Sequence, residues 1–252
     1  MTTILQVEQL SKRFGGLQAV DGVSFSLQQG AIKAVIGPNG AGKTTLFNLI
    51  AGMLPPTSGA IRFQGKAIGG MRPFRVAELG IARTFQNIKM FAGMTALENV
   101  MVGRHVRSHS GFLASMFRSS GCRREEKAIR AKSLELLDFL GIADCADILA
   151  TNLAFGQQRA VEMARALALE PSLLLLDEPA AGLNIYETAE LGRLIVRIRD
   201  LGVTVLLVEH DMSLVMDISD EIVVLSFGRK IAEAVPKEIQ ADPEVIKVYL
   251  GE

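Results

Sequence analysis

Ala31-Ile32-Lys33-Ala34-Val35-Ile36-Gly37-Pro38-Asn39-Gly40-Ala41-Gly42-Lys43-Thr44-Thr45-Leu46 decides the fold. A short apolar run, Ala31 to Ile36, leads into a glycine-rich stretch, Gly37 to Gly42, and beyond it Leu46, Leu49, Ile50 and Met53 share one face of a helix that extends to the Pro55-Pro56 break. This is strand, loop and helix. The loop fills the pattern G-x-x-x-x-G-K-[ST] at every position. Its glycines let backbone N–H groups turn inward around phosphate groups. Lys43 supplies a compact positive charge to the outer phosphates, Thr44 offers a hydroxyl to Mg²⁺, and the helix that starts there aims the positive end of its dipole at the anion. Gly37, Pro38, Asn39, Gly40, Ala41, Gly42, Lys43, Thr44 and Thr45 are therefore the candidate nucleotide-binding residues.

A second motif supplies the acid groups. Leu173 to Leu176 is an apolar strand that ends in Asp177-Glu178, and an open parallel sheet has its ligand crevice at such strand ends. Asp177 is a candidate metal ligand and Glu178 a candidate for polarising water. Carboxylates buried at a strand end without a cation would be costly. The pair of motifs predicts Mg²⁺-dependent hydrolysis of a nucleoside triphosphate, and by itself leaves kinases, helicases, GTPases and other ATPases open.

The rest of the chain fits an α/β fold. Leu5, Val7 and Leu10, then Val23, Phe25 and Leu27, alternate with polar residues as half-buried strands do. From about Met94 to Glu170 the pattern turns helical, with one helix around Leu97, Val100 and Met101 and an amphipathic one from Ile129 to Leu140. Between them, Ser108 to Arg124 is a loop whose Phe112, Leu113, Met116 and Phe117 either tuck onto the helices or face a partner. Alternating units then return: the strand at Leu173, a helix near Tyr186 to Asp200, a strand at Val203 to Val208, and a last strand near Glu221 to Leu225 before the turn at Gly228 and a short helix. No internal repeat is present. The expected organisation is one domain: a core from 1–93 and 171–252, and a helical subdomain over about 94–170.

Composition excludes several classes. The 252 residues are 49% hydrophobic, so disorder is excluded, and 27 basic residues balance 27 acidic ones, leaving no general positive field for nucleic acid. The N-terminal Met1 to Leu10 lacks a signal-peptide pattern and no apolar stretch reaches the ~18 residues of a membrane span, so a cytoplasmic location is expected. Mean hydropathy of +0.29 suits a chain with partner-covered surface. Cys122 and Cys145 lack metal-ligand spacing and read as reduced thiols, and His105 and His109 as surface residues.

The segment between the two motifs narrows the field. Leu153-Ala154-Phe155-Gly156-Gln157-Gln158-Arg159, followed by Val161 to Leu167, resembles the signature motif and helix of ABC cassettes. Gln86 in Thr84-Phe85-Gln86-Asn87 and His210 in Val208-Glu209-His210-Asp211 complete that family's order. The resemblance covers nearly the whole chain. It implies a P-loop ATPase core, an N-terminal antiparallel β-subdomain and an inserted helical signature subdomain. It also implies two cassettes arranged head to tail with ATP between them, where Ala154, Phe155, Gly156 and Gln157 of one complete the site of the other. By that resemblance Glu178 orients or deprotonates water, His210 contacts the γ-phosphate, Gln86 touches Mg²⁺ and water, and Phe14 in Lys12-Arg13-Phe14-Gly15 stacks on adenine.

Two departures from the common family pattern stand out. Ala154 replaces the usual serine of the signature and Asn184 the usual aspartate after Glu178. Together with Glu178-Pro-Ala-Ala-Gly-Leu-Asn184 and the tail from Ala241, they resemble the branched-chain amino acid importer cassettes. That subfamily implies two integral-membrane permeases, a second cassette, an extracytoplasmic solute-binding protein and a peripheral place on the inner membrane face. Urea or short-amide importers share the marks. A lipid or polysaccharide export cassette and a soluble ABC ATPase acting on ribosomes or DNA are the other readings.

Overall fold

The computed structural model describes residues 2–85, 88–104 and 120–250. Contacts divide the chain into two units, residues 1–86 with 172–252 and residues 87–171. The strands are β1 (Thr3–Phe14), β2 (Leu17–Gln28), β3 (Ile32–Ile36), β4 (Ser58–Phe63), β5 (Lys66–Ala67), β6 (Ile81–Arg83), β7 (Leu173–Asp177), β8 (Thr204–Val208), β9 (Glu221–Ser226) and β10 (Arg229–Ala234). The helices are α1 (Lys43–Ile50), α2 (Pro73–Glu78), α3 (Ala96–Gly103), α4 (Ser120–Phe139), α5 (Phe155–Leu167), α6 (Ile185–Asp200), α7 (Met212–Ile218), α8 (Pro236–Ala241) and α9 (Pro243–Leu250).

The first unit holds two sheets. One is antiparallel in the order β2-β1-β4-β5. Leu5, Val7, Val23, Phe25, Leu27, Ile61 and Phe63 point into its core, against Leu46, Phe47 and Ile50 of α1. Val7 and Leu10 are three residues apart, so strict alternation would turn Leu10 to solvent. A register shift between them, with Gln9 at φ 44°, inserts a bulge that returns Leu10 to the core.

The other sheet runs β10-β9-β3-β8-β7-β6 and is parallel apart from β10. Every residue of β3, β7 and β8 is buried, which is why these strands read as continuous runs rather than alternating ones. Their C-terminal ends carry Gly37, Glu178 and Glu209, so the candidate chemistry collects on one edge. Strand β10 corrects the sequence reading, which passed directly from the Gly228 turn to a helix. Its residues Arg229-Lys-Ile-Ala-Glu-Ala are exposed or half-buried, and such an edge strand shows little apolar alternation.

Helix α1 also ends sooner than expected. Its cap is Ala51, and Gly52 at φ 73° lets Met53 N–H bond back to Asn48 O at 2.8 Å, which stops the helix ahead of the prolines. Met53 is consequently half-exposed rather than on the buried face.

The second unit is helical. Its core joins Ala96, Leu97 and Val100 of α3, Leu137 of α4, and Val161, Ala164 and Ala168 at α5. Thr95 caps α3 in a reciprocal box with Glu98. A Cβ on Gly103 would lie 2.2 Å from Arg165 O, so the close approach of α3 to α5 needs glycine there. The stretch holding His105, His109, Phe112, Leu113, Met116 and Phe117 lies outside the described residues.

Candidate functional site

The loop between β3 and α1 has a backbone that only glycine supports at its two ends. Gly37 has φ 148° and a Cβ there would meet Leu225 O at 2.1 Å; Gly42 has φ 101° and its Cβ would meet Ala19 O at 2.4 Å. Gly40, at φ 80°, faces open space. The loop is thus pinned to its own scaffold at both ends and clear at its outer turn. Lys43 is buried, and its Nζ donates to Gly37 O at 2.6 Å and Pro38 O at 3.0 Å. Burial pushes the Lys43 pKa below the ordinary lysine range, against the opposing pull of the Glu178 and Asp177 carboxylates. Thr44 is exposed and Thr45 half-buried at the open helix end.

Asp177 is buried at the end of β7, with Oδ2 accepting from Arg83 Nη2 at 2.7 Å. The same guanidinium donates through Nη1 to Asn48 Oδ1 at 2.7 Å and lies against the rings of Phe47 and Phe85. Sequence reading missed Arg83, because no local motif links β6 to a residue 94 positions away.

Glu178 has φ 47°, a left-handed conformation that costs a bulky residue about 1–3 kcal/mol. Its N–H donates to Val208 O at 2.9 Å, which holds the strained turn onto the end of β8. The turn carries the carboxylate out of the sheet: Glu178 Oε2 stands 3.9 Å from His210 Nδ1. The structure therefore brings Lys43, Asp177, Glu178 and His210 to one sheet edge. Phe14, 44% exposed at the end of β1, keeps its ring accessible, with Lys12 Nζ 5.1 Å from the ring centroid. Gln86 lies outside the described residues.

In the helical unit, α5 begins at Phe155, with Ala154 as its cap residue. Alanine has no oxygen to cap with; instead Gln157 Oε1 accepts from Ala154 N–H at 3.1 Å. Gly156 falls in the first turn, where an added Cβ would meet nothing within 4 Å. Its value is therefore an open approach to the helix end, not a special dihedral. Phe155 is exposed, with Arg159 stacked over its ring. Asn184 accepts from Tyr186 N–H at 2.9 Å and Glu187 N–H at 3.1 Å, so this residue caps α6.

The donors fit a magnesium nucleotide. A threonine hydroxyl, one carboxylate and phosphate oxygens are hard ligands of the kind Mg²⁺ accepts. Among the described residues no group of three His, Cys, Asp or Glu side chains is placed to hold a metal by itself.

Comparison with known proteins finds relatives described as ATP-binding. The profile of the ABC transporter family matches residues 20–181, and that of the branched-chain amino acid ATP-binding cassette transporters matches residues 229–252. BraF, the high-affinity branched-chain amino acid transport ATP-binding protein of Pseudomonas aeruginosa, is 46% identical over 250 residues, covering 99% of this chain and 98% of its own. LivG of Escherichia coli, described in the same words, is 42% identical with the same coverage. A crystal structure of the ADP conformation of MJ1267, an ATP-binding cassette of an ABC transporter, superposes with a TM-score of 0.87 at 34% identity and full coverage of both chains.

Proposed function

The chain belongs to the ABC transporter family of ATP-binding cassettes, and from that premise we propose that it hydrolyses MgATP to drive uptake of branched-chain amino acids. The observation that carries the chemistry is the assembly of Lys43, Asp177, Glu178 and His210 on one edge of the parallel sheet. The solute class rests on BraF and LivG, related over nearly their full lengths, and on the C-terminal profile match.

In this reading the triphosphate lies over Gly37 to Thr45, and Lys43 exchanges its two carbonyl partners for outer phosphate oxygens. Thr44 and Asp177 would hold Mg²⁺, with Gln86 as a further ligand, and the ion would supply positive charge to the phosphate oxygens. Glu178 takes a proton from the attacking water, and His210 donates to the γ-phosphate as charge shifts onto its oxygens. Phe14 stacks on the adenine.

The open helix end at Ala154, Phe155, Gly156 and Gln157 serves the nucleotide of a second cassette, so ATP closes a dimer and hydrolysis reopens it. The cassettes sit on the inner membrane face beneath two permeases, which receive solute from an extracytoplasmic binding protein. No helix among the described residues is long and apolar enough to cross a membrane. The test is gentle extraction of the tagged chain from host membranes. Two multispanning permeases with a second cassette, and a binding protein that takes leucine, isoleucine or valine, are expected. Ribosomal proteins as the sole partners, or a binding protein selective for urea or short amides, would contradict the assignment.

A further inference from the structure

Glu209 directly follows β8, and its side chain is 0% exposed. Its Oε1 accepts from Ala180 N–H at 2.7 Å, while Oε2 accepts from the N–H groups of His210 at 2.9 Å and Asp211 at 3.3 Å. One carboxylate thus joins the segment two residues past Glu178 to the segment that presents His210. Packing alone would be served as well by an apolar side chain, and a buried charge is costly unless its hydrogen bonds are used. Here the bonds fall on the backbone of both reacting segments.

The His210 side chain is 65% exposed, so surrounding packing contributes little to its placement. Its Nδ1 lies 3.9 Å from Glu178 Oε2 and 3.7 Å from Glu209 Oε2. Backbone position therefore decides where the imidazole stands relative to Glu178. We propose that Glu209 is a positioning residue for ATP hydrolysis: its carboxylate sets the separation of Glu178 and His210 by clamping Ala180 and His210 N–H groups to its two oxygens. This rests on the ATPase reading above. Small misplacements of groups that must meet a reacting phosphate reduce turnover strongly while leaving substrate binding intact.

Glu209→Gln preserves volume but turns one oxygen into an NH₂ that faces an N–H donor, releasing one of the two segments. In the assembly purified from host membranes, kcat should fall at least about 10-fold while KM for ATP and the Kd of a non-hydrolysable analogue change by less than about 2-fold. Glu209→Gln combined with His210→Ala should lose less than the product of the two single losses, because the separation set by the clamp matters less once the imidazole is gone. Should Glu209→Gln not fold, Glu209→Asp keeps both oxygens on a shorter stem and is expected to show a smaller kcat loss with the same non-additivity. Wild-type kcat in these variants, or losses that multiply fully with His210→Ala, would overturn the inference while leaving the ATPase reading intact. A wild-type assembly without ATPase activity would overturn both.

Discussion

Arg83 Nη2 donates to Asp177 Oδ2 at 2.7 Å, and the two side chains are only 8% and 6% exposed. The carboxylate assigned to the metal therefore has one oxygen committed to a guanidinium that is itself fixed by Asn48 and two phenylalanine rings. Arg83 holds Asp177 through Oδ2, so the proposed metal role would fall to Oδ1.

Removing one partner of a buried pair leaves the other charge uncompensated. Arg83→Met should destabilise the protein by about 3 kcal/mol, and Arg83→Met with Asp177→Asn should recover at least about 1 kcal/mol because the orphaned charge is gone. Urea unfolding of the three proteins checks this. Equal stability of Arg83→Met and wild type would mean that the pair is not formed in solution.

The glycines of the phosphate loop make separable predictions. Gly42→Ala places a Cβ 2.4 Å from Ala19 O and forces the loop to move, so binding of a fluorescent ATP analogue should weaken by at least about 100-fold. Gly40→Ala meets nothing within 4 Å and retains only the positive-φ strain, about 1 kcal/mol. It should bind the analogue far better than Gly42→Ala.

Lys43 carries a pH signature. Its pKa is lowered by burial in the folded chain, whereas the unfolded chain has the ordinary value of about 10.4. Between those two values unfolding takes up a proton, so the nucleotide-free protein gains stability as pH rises through that window. Lys43→Met lacks this gain. Denaturation midpoints of both proteins across the alkaline range should diverge, with wild type rising relative to the variant.

Asn184 gives a surface test. Asn184→Ala removes the acceptor for Tyr186 and Glu187 N–H and should cost about 1 kcal/mol, while Asn184→Asp should be nearly neutral, since both are good caps. The departure from aspartate at this position therefore leaves helix capping intact.

Local motifs were legible in the sequence wherever chemistry and backbone are set by neighbours. Gly37 to Thr45 needed nothing outside itself, and the buried runs of β3, β7 and β8 announced a parallel sheet. What escaped depends on residues distant in sequence or on weak patterns. Strand β10 lacks an apolar alternation. Arg83 finds Asp177 across 94 positions and Glu209 finds Ala180 across 29, with no spacing rule to signal either. The left-handed turn at Glu178 was likewise hidden, because its hydrogen bond to Val208 O exists only once β7 and β8 are paired.

The most direct measurement is phosphate release from MgATP by wild type and Glu178→Gln, with ATP affinity determined on the same preparations. Glu178→Gln should bind ATP within about 2-fold of wild type and release phosphate at least about 100-fold more slowly, as expected for loss of a general base. Equal release rates would contradict this and remove Glu178 from the reaction.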